Sequence, residues 1–356
     1  MKIGIITDSI RDQSTGIGFY AKDVVTSLME ADKKNEYFFI DFMQTTFNKE
    51  ILIKINNPFK YFKTYLWHNY IPFKTKNIDA DVILNLSACP HFFPFPQKEI
   101  FFVYDISWYL YPKYHPTSRV LFYKFFFKKC LKNSKTIVVD SISTKNDLIK
   151  YFEIPAEKIY VIYPGYKDNT RDVKKIKYAI DFPYILFIGT MEPRKNVESI
   201  IKAYKRLKDT QNIKQKLILC GKKGWLFENI FNLIKKFELE KDILYFGYIT
   251  NEEKKYLYKH ADFFVYPSYY EGFGIPVLEA MSNGCPTITS NISSLPEVAG
   301  NAAILVKPDS EQELANAFKE LIHNKTLREK MKKKGLEQLE NLSNEKQIIS
   351  LLDSIK

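Results

Sequence analysis

Two glutamates flank a glycine-rich bend in the segment YYEGFGIPVLEAM, which begins at Tyr269. Glu271 and Glu279 are separated by seven residues, so they could form an acid–base pair, hold a metal ion or mark the start of a helix. The glycines of the bend interrupt regular structure, and the proline after them suits a first helical turn. Glu271 is therefore predicted in a loop and Glu279 in the next helix, where they contact different parts of one ligand. A capping loop with two solvated glutamates is the alternative.

Two neighbouring cations occur in FIGTMEPRKNVESIIKAY, where Arg194 and Lys195 follow a predicted strand and begin a predicted helix. Cations normally collect at the carboxyl ends of helices, so this position opposes the helix dipole. A bound anion would offset that cost. The pair is predicted to bind phosphate, and a solvated basic pair is the alternative.

A second anion-binding pattern lies near the N-terminus, where Gly16 and Gly18 open a helix in the segment that follows the first predicted strand. Glycines there let the backbone approach a phosphate. The dinucleotide fingerprint is incomplete, because Ala21 stands at its last position and no acidic residue visibly ends the next strand. Asp79-Ala80-Asp81 precedes a strand, and it is predicted to be a turn rather than a metal site.

Two segments combine aromatic and basic residues, PFKYFKTYLWHNYIPFK from Pro58 and RVLFYKFFFKKCLK from Arg119. In the second, Lys124, Lys128 and Lys132 fall on one helical stripe. This pattern suits a membrane interface, but it also fits a helix with aromatic residues in the core and lysines in water. Both interpretations stay open, with a slight preference for the membrane in the first segment. His91 and His115 lie near predicted loops without a nucleophile arrangement, which favours structural roles.

Short β-branched or aromatic runs alternate with amphipathic stretches along most of the chain, which predicts βαβ units and parallel sheets. The first series is KIGIITD, EYFFIDFM, VILNL, EIFFVYD, TIVVDS and IYVIYPG; the second is YILFIGT, KLILCG, ILYFGY, FFVYP, PTITS and AILVKP. A polar stretch after Gly165 reads as a linker. We predict two doubly wound α/β domains, residues 1–166 and 167–342, with a helix at about 343–356 returning to the first. Ligands of such sheets bind at the carboxyl ends of strands, so a cleft between the domains is expected.

The composition is that of a globular protein, with 46% hydrophobic and 26% charged residues. A net charge of +12 suits an anionic partner, such as a phosphorylated substrate, a membrane surface or nucleic acid. No nucleic-acid motif occurs, so nucleic acid is not expected. The four cysteines are too widely spaced for a metal motif, which predicts buried thiols in a cytoplasmic protein. No run approaches the ~20 apolar residues of a membrane span, so peripheral contact with the inner membrane face is the alternative location.

The second half of the chain resembles the retaining family 4 (group 1) glycosyltransferases of GT-B fold, in particular bacterial polysaccharide mannosyltransferases. The motifs that carry the resemblance are GTMEPRKN, LILCGKKGW, ILYFGYIT and YPSYYEGFGIPVLEAMSNGCPTITSNISSLPEVAGNAAILVKP, in that order. The first half is similar more loosely, through GIGFY, SISTKNDLIKYF and IYVIYPG. The resemblance implies metal-independent transfer of a hexose, with mannose preferred, from a nucleotide diphosphate sugar to a lipid-linked or polysaccharide acceptor. No cofactor is expected.

The resemblance also implies roles for individual residues. Glu271 would face the donor sugar and Glu279 the ribose hydroxyls, while Lys195 with Arg194 would neutralise the leaving diphosphate. Gly16 would let the first domain close onto the phosphates. The remaining donor-binding residues would be Gly272, Phe273, Gly274 and Ile275 of the loop, with Gly247 and Tyr248 near the base.

Three departures from the family pattern affect these roles. Thr15-Gly16 stands where many relatives have Gly-Gly, and Thr190 stands where many have an Arg, which leaves Arg194 to share the charge. Tyr104-Asp105 replaces a common His-Asp, so Asp105 becomes the candidate on the acceptor side. The competing hypothesis is a nucleotide-sugar epimerase, or another enzyme that is not a transferase, on the same fold.

Overall fold

A computed structural model of the protein describes residues 1–7, 10, 16–41, 52–54, 64–165, 172–173 and 176–355. The chain divides into two compact units. The first comprises Met1–Gly165 and Ser343–Lys356, and the second Tyr166–Leu342. The division falls one residue from the predicted boundary, and the C-terminal segment belongs to the first unit as the sequence suggested.

The first unit is built on a parallel sheet of seven strands in the order β3-β2-β1-β4-β5-β6-β7. Its strands are β1 Lys2–Ile6, β2 Glu36–Asp41, β3 Leu52–Lys54, β4 Val82–Asn85, β5 Lys98–Val103, β6 Thr136–Val139 and β7 Ile159–Val161. Its helices are α1 Gly16–Ala31, α2 Thr64–Thr75, α3 Ser107–Leu110, α4 Thr117–Asn133, α5 Ile142–Phe152 and, from the C-terminal segment, α13 Glu345–Ile355.

The second unit repeats this plan with six parallel strands in the order β10-β9-β8-β11-β12-β13. Its strands are β8 Tyr184–Ile188, β9 Lys216–Cys220, β10 Ile243–Gly247, β11 Phe263–Tyr266, β12 Thr287–Ser290 and β13 Ala303–Val306. Its helices are α6 Val197–Thr210, α7 Glu228–Lys236, α8 Asn251–His260, α9 Ile275–Ser282, α10 Leu295–Ala299, α11 Glu311–His323 and α12 Lys325–Asn341.

The predicted fold class, two doubly wound α/β units, is confirmed. Most strand residues are buried on both faces, as in the all-buried pattern of β4, β6, β8 and β11, because helices cover both sides of a parallel sheet. Only β3 was missed. It has three residues and lies at the sheet edge beside β2, so backbone pairing defines it rather than any apolar pattern.

The C-terminal helix α13 packs against α1 of the first unit. Ile348 and Leu351 are fully buried in the same hydrophobic cluster as Val24 of α1. The Asp23 carboxylate accepts a hydrogen bond from the Asn344 side chain at 2.9 Å and another from the backbone N–H of Gly165 at 2.8 Å. The two ends of the first unit, where the chain enters and leaves the second, are therefore held by one side chain.

The ends of β8 and β9 approach each other closely in the second unit. Gly221 has a φ of +137°, and a Cβ added there would lie 1.9 Å from the Gly189 carbonyl oxygen. Its backbone N–H also donates to the carbonyl of Gly247 at 2.7 Å. Only glycine satisfies both the conformation and the space at this position.

We predict that Gly221→Ala destabilises the protein by about 3 kcal/mol or more, because a backbone clash adds to the cost of positive φ. The matched control is Gly284→Ala. Gly284 also has a positive φ, +64°, but nothing lies within 4 Å of an added Cβ, so its loss should be about 1 kcal/mol. Urea unfolding followed by circular dichroism measures both. Equal losses would show that the close approach at Gly221 adds nothing to the cost of the substitution in free energy of unfolding.

Candidate active site

Two loops meet where the strand order of the second sheet reverses. The chain runs outward from β8 through β9 to β10, then returns to β11 on the other side of β8. Crevices outside the carboxyl ends of such neighbouring strands are the usual ligand sites of doubly wound sheets. The loop after β8 carries Arg194 and Lys195, and the loop after β11 carries Glu271. The Tyr269 N–H donates to the Arg194 carbonyl at 2.9 Å, which joins the two loops directly.

Lys195 forms the centre of the cluster. Its Nζ donates to Glu271 Oε1 at 2.6 Å and to the hydroxyl of Tyr266, the last residue of β11, at 2.7 Å. Lys195 and Glu271 each expose only 8% of their surface. A buried lysine and a buried carboxylate are tolerated only when they are paired and hydrogen-bonded, so the two side chains fix each other.

Arg194 extends the same cluster toward solvent. Its Nη1 donates to Glu271 Oε2 at 3.1 Å and to the Tyr270 carbonyl at 2.7 Å, while its Nη2 donates to Glu192 Oε1 at 2.9 Å. Two cations therefore face two carboxylates. The cluster is neutral as it stands, because each cation is paired with a carboxylate.

The protonation states follow from burial and from these pairs. Burial raises the pKa of Glu271, but Lys195 and Arg194 together outweigh it and lower that pKa to about 2. Burial, and then Arg194, lower the pKa of Lys195, while Glu271 and Glu192 oppose them. Glu271 is thus ionised at neutral pH.

The loop that carries Arg194 and Lys195 (the cation loop) is held in place by Asn196, a residue that sequence reasoning did not select. Its buried side-chain amide donates to the carbonyl of Pro267 at 3.0 Å and to that of Pro308 at 2.8 Å. Asn196 has a left-handed backbone, with φ of +58°, and separates a 3₁₀ turn at Pro193–Lys195 from α6. The two cations therefore lie in that turn, not in the helix as predicted. The polar Asn at the junction was the available signal.

The loop that carries Glu271 (the glutamate loop) is held in place by two serines that sequence reasoning also missed. The Ser294 hydroxyl is within hydrogen-bonding distance of the carbonyls of Glu271, at 3.0 Å, and Phe273, at 2.7 Å. The Glu271 N–H donates to Ser293 Oγ at 3.1 Å. Both serines precede α10, so the only sequence signal was their position at a helix start.

The predicted donor-binding loop leads directly into α9. Gly272 and Phe273 are buried, and Gly274 precedes the helix with φ of +109°. A Cβ at Gly274 would lie 2.7 Å from Leu295 Cδ2. Ile275, half-buried, is the first helical residue. The backbone of this loop is thus fixed at the N-terminus of α9, where N–H groups can meet an anion.

Glu279 has partners different from those of Glu271. It lies in α9, is buried, and forms an ion pair with Lys254 of α8. The Tyr258 hydroxyl donates to its second carboxylate oxygen at 3.3 Å. The structure thus places Glu271 in a loop and Glu279 in a helix, as predicted, with separate cationic partners.

The ends of β9 and β10 add basic and aromatic residues beside the cation loop. Gly247 ends β10, and Tyr248 after it is 55% exposed, with Lys222 Nζ 4.9 Å from its ring centroid. The Met191 N–H donates to the Lys222 carbonyl at 2.9 Å, which ties the two loops. Trp225 in the same GKKGW stretch is half-exposed. Sequence reasoning quoted this motif but selected no residue from it.

The other two predicted residues, Gly16 and Asp105, belong to the first unit. Gly16 is the exposed first residue of α1, and the Ser14-Thr15 step before it lies outside the described residues. Asp105 follows β5 and accepts hydrogen bonds from the Ser107 N–H, at 2.9 Å, and hydroxyl, at 2.8 Å. The Asp105 side chain therefore forms a turn with Ser107, the first residue of α3.

A separate buried polar cluster involves His91, Glu99 and Cys130 of the first unit. His91 Nε2 lies 2.8 Å from Glu99 Oε1 and 3.2 Å from Cys130 Sγ. Two ligands sharing a tetrahedral zinc ion would be roughly 3.3 Å apart or more, so these are hydrogen-bond distances. Burial lowers the pKa of His91, but Glu99 and Cys130 raise it to about 11, which favours an imidazolium paired with a carboxylate. This arrangement agrees with the structural role expected of His91. All four cysteines are buried thiols outside any disulfide, as predicted.

Comparison with known proteins relates the chain to enzymes that transfer sugars. Residues 168–338 match the family of glycosyl transferases group 1. O-antigen chain mannosyltransferase B of Escherichia coli is 34% identical over 256 residues, or 69% of this chain and 67% of that protein. O-antigen chain mannosyltransferase RfbU of Salmonella typhimurium is 32% identical over 65% of this chain and 63% of its own length, which is less than two thirds.

Solved structures share the fold at lower identity. Sucrose-phosphate synthase from Thermosynechococcus elongatus has a TM-score of 0.78 and 19% identity, covering 100% of this chain and 98% of that one. At this identity the likeness concerns the fold. No helix in the part of the chain that the structure describes is long and apolar enough to cross a membrane.

The low pKa of Glu271 predicts how stability depends on pH. The pKa is lower in the folded state, about 2, than the ordinary value of 4.5, so the ion pair stabilises the protein above pH 4.5 and loses this effect as pH falls toward 2. The stability advantage over Glu271→Gln should be constant from pH 8 to pH 5, at about 3 kcal/mol, and then shrink. Urea unfolding at a series of pH values measures it. A constant difference down to the lowest pH at which the protein folds would contradict the ion pair.

Proposed function

Because the chain belongs to the glycosyl transferases group 1 and has the GT-B fold, we propose that it transfers a hexose from a nucleotide diphosphate sugar to a glycan in cell-surface synthesis. The observation that carries the proposal is the pair of cations at the reversal point of the second sheet, the buried Lys195 and the half-buried Arg194. Both O-antigen relatives are mannosyltransferases by name, which supports mannose as the sugar.

The chemistry of such a transfer places negative charge on the leaving diphosphate. The bond between the sugar's anomeric carbon and the diphosphate oxygen breaks, and a bond to an acceptor hydroxyl oxygen forms. Positively charged groups fixed beforehand where this charge develops lower the barrier. Lys195 and Arg194 supply these charges, so we propose that the transfer needs no metal ion.

The donor must displace Glu271 from its cations. In the cluster, Glu271 accepts from both Lys195 and Arg194, which are the groups a diphosphate would use. When the diphosphate takes over these hydrogen bonds, the Glu271 carboxylate is left beside the sugar, where its charge can stabilise a developing positive charge at the anomeric carbon. This exchange supports transfer with retained configuration.

The remaining predicted residues are assigned to different parts of the donor. We assign Glu279, held by Lys254 and Tyr258, to the ribose hydroxyls, because a fixed carboxylate accepts hydrogen bonds from a diol. The backbone of Gly272–Ile275 at the start of α9 suits the sugar or its phosphate. Gly247 and Tyr248 are assigned to the base.

The acceptor is assigned to the first unit. We propose a lipid-linked or polysaccharide acceptor, with Asp105 near its hydroxyl and Gly16 at the phosphates. Asp105 accepts hydrogen bonds from Ser107, so Asp105→Asn, which keeps an oxygen acceptor, separates the charge of Asp105 from its contact with Ser107.

We predict that Lys195→Ala lowers the kcat/KM of transfer about 100-fold or more, because one buried cation at the leaving group is lost. Lys195→Arg should recover part of this activity, since the charge remains. Lys205→Ala is the control, because Lys205 forms an exposed pair with Asp209 on α6, and it should leave kcat/KM unchanged. Transfer is measured with a nucleotide-linked mannose and an undecaprenyl-linked acceptor, and the anomeric configuration of the product by NMR.

Two results would contradict the proposal. One is transfer by Lys195→Ala within threefold of the wild type. The other is conversion of the donor, incubated without acceptor, into an isomeric nucleotide sugar, because this product indicates an epimerase.

A further inference from the structure

Six phenylalanine rings form a continuous strip on the outside of the first unit. This aromatic strip consists of Phe73 of α2, Phe92 and Phe93 of the loop before β5, and Phe122, Phe125 and Phe126 of α4. Neighbouring ring centroids are 4.6 Å apart for Phe73–Phe93, 4.9 Å for Phe92–Phe93, 5.7 Å for Phe92–Phe126, 4.8 Å for Phe122–Phe126 and 6.4 Å for Phe125–Phe126. Three separate segments thus contribute to one surface.

The strip is exposed, although its rings touch each other. Phe125 exposes 76% of its surface and Phe73 exposes 55%, and Phe92 and Phe93 expose about 40% each. Leu121 beside them on α4 is 51% exposed. A contiguous apolar patch of this kind marks a binding surface, whereas single exposed apolar residues do not.

Helix α4 has two faces, and the strip occupies the outer one. Val120, Tyr123, Phe127 and Cys130 of this helix are buried in the unit, so packing already accounts for its inner face. The interpretation that aromatic residues of this segment enter the core is confirmed for the inner face, and the membrane interpretation stays a prediction. Some aromatic residues enter the core, and others remain on the surface with the lysines.

Basic residues accompany the strip. Residues 64–76, 86–97 and 117–133, which supply its rings, contain no acidic residue. Their basic residues are Lys74, Lys76, Arg119, Lys124, Lys128, Lys129 and Lys132. Lys129 Nζ lies 3.9 Å from the Phe92 ring centroid, and Lys128 forms an exposed pair with Glu153 of a neighbouring element.

The combination of exposed rings and lysines distinguishes a protein partner from a lipid bilayer as the ligand of this surface. Protein–protein interfaces are depleted of lysine at their centres, so a lysine-rich aromatic surface fits a protein partner poorly. At a bilayer surface, rings insert at the headgroup boundary while lysines reach the lipid phosphates. We propose that the aromatic strip binds the surface of an anionic phospholipid bilayer, with Phe125 inserted and Lys124 and Lys129 at the headgroups. The inference is independent of which sugar is transferred.

The test is co-sedimentation of the full chain with vesicles. Wild-type protein should bind vesicles of phosphatidylcholine mixed with phosphatidylglycerol about tenfold or more tightly than vesicles of phosphatidylcholine alone, because each lysine near an anionic surface adds attraction. Phe125→Ser should weaken binding to the mixed vesicles about tenfold, by removing an inserted ring. Lys124→Glu should weaken it by a similar factor, and added salt should have less effect on this variant.

Two controls match these variants elsewhere on the surface. Leu336→Ser removes a half-exposed apolar residue of α12, and Lys319→Glu reverses an exposed charge of α11. Both should bind vesicles like the wild type. All four variants should bind inorganic pyrophosphate with unchanged affinity, which separates this proposal from the proposed donor site.

Three results would overturn the proposal. One is a wild type that binds neither kind of vesicle or binds both equally, and another is equal loss in the strip and control variants. The third is a wild type that does not bind vesicles but forms dimers in sedimentation velocity that Phe125→Ser dissociates. In that case the strip is an interface between copies of the chain.

Discussion

A buried carboxylate shared by two cations is the interaction on which the candidate site depends. Glu271 and Lys195 are almost completely removed from water, and each charge would be strongly destabilising without the other. Their meeting requires that β8 and β11 be neighbours in the sheet. It also requires Asn196 to hold the cation loop against the chain that follows β11 and β13.

Under the proposed function, the same pair would let a neutral site bind a highly charged substrate. In the proposed exchange, a diphosphate takes over the hydrogen bonds that Lys195 and Arg194 now make to Glu271, so donor binding and the release of Glu271 would be one event. The cost of separating the ion pair is offset by the new phosphate contacts. In the proposed exchange, the freed carboxylate would lie close to the sugar instead of remaining a structural partner. A permanently exposed cation pair would bind any anion, whereas this arrangement favours ligands that can replace both contacts.

Most of the fold could be predicted from the sequence, because buried parallel strands consist of short runs of apolar residues. The loop position of Glu271 and the helical position of Glu279 followed from the local glycines and proline. Long-range contacts had no such signature. Lys195 and Glu271 are 76 residues apart, and Asn196 and Pro308 are 112 apart, so only the strand order shows that they meet. Local patterning likewise could not divide the aromatic residues of α4 between core and surface. That division depends on which neighbours pack against the helix.

The pKa of Glu271, measured with and without pyrophosphate, tests the exchange of partners most directly. Carboxyl ¹³C chemical shifts of the labelled protein give this pKa, and Glu271→Gln assigns the signal. Without ligand we expect a pKa of about 2, set by Lys195 and Arg194 against the effect of burial. With pyrophosphate bound we expect the pKa of Glu271 to rise by at least one unit. Lys195 and Arg194 are then paired with the pyrophosphate, and its negative charge lies near the carboxylate. An unchanged pKa at saturating pyrophosphate would contradict the claim that these cations bind the donor.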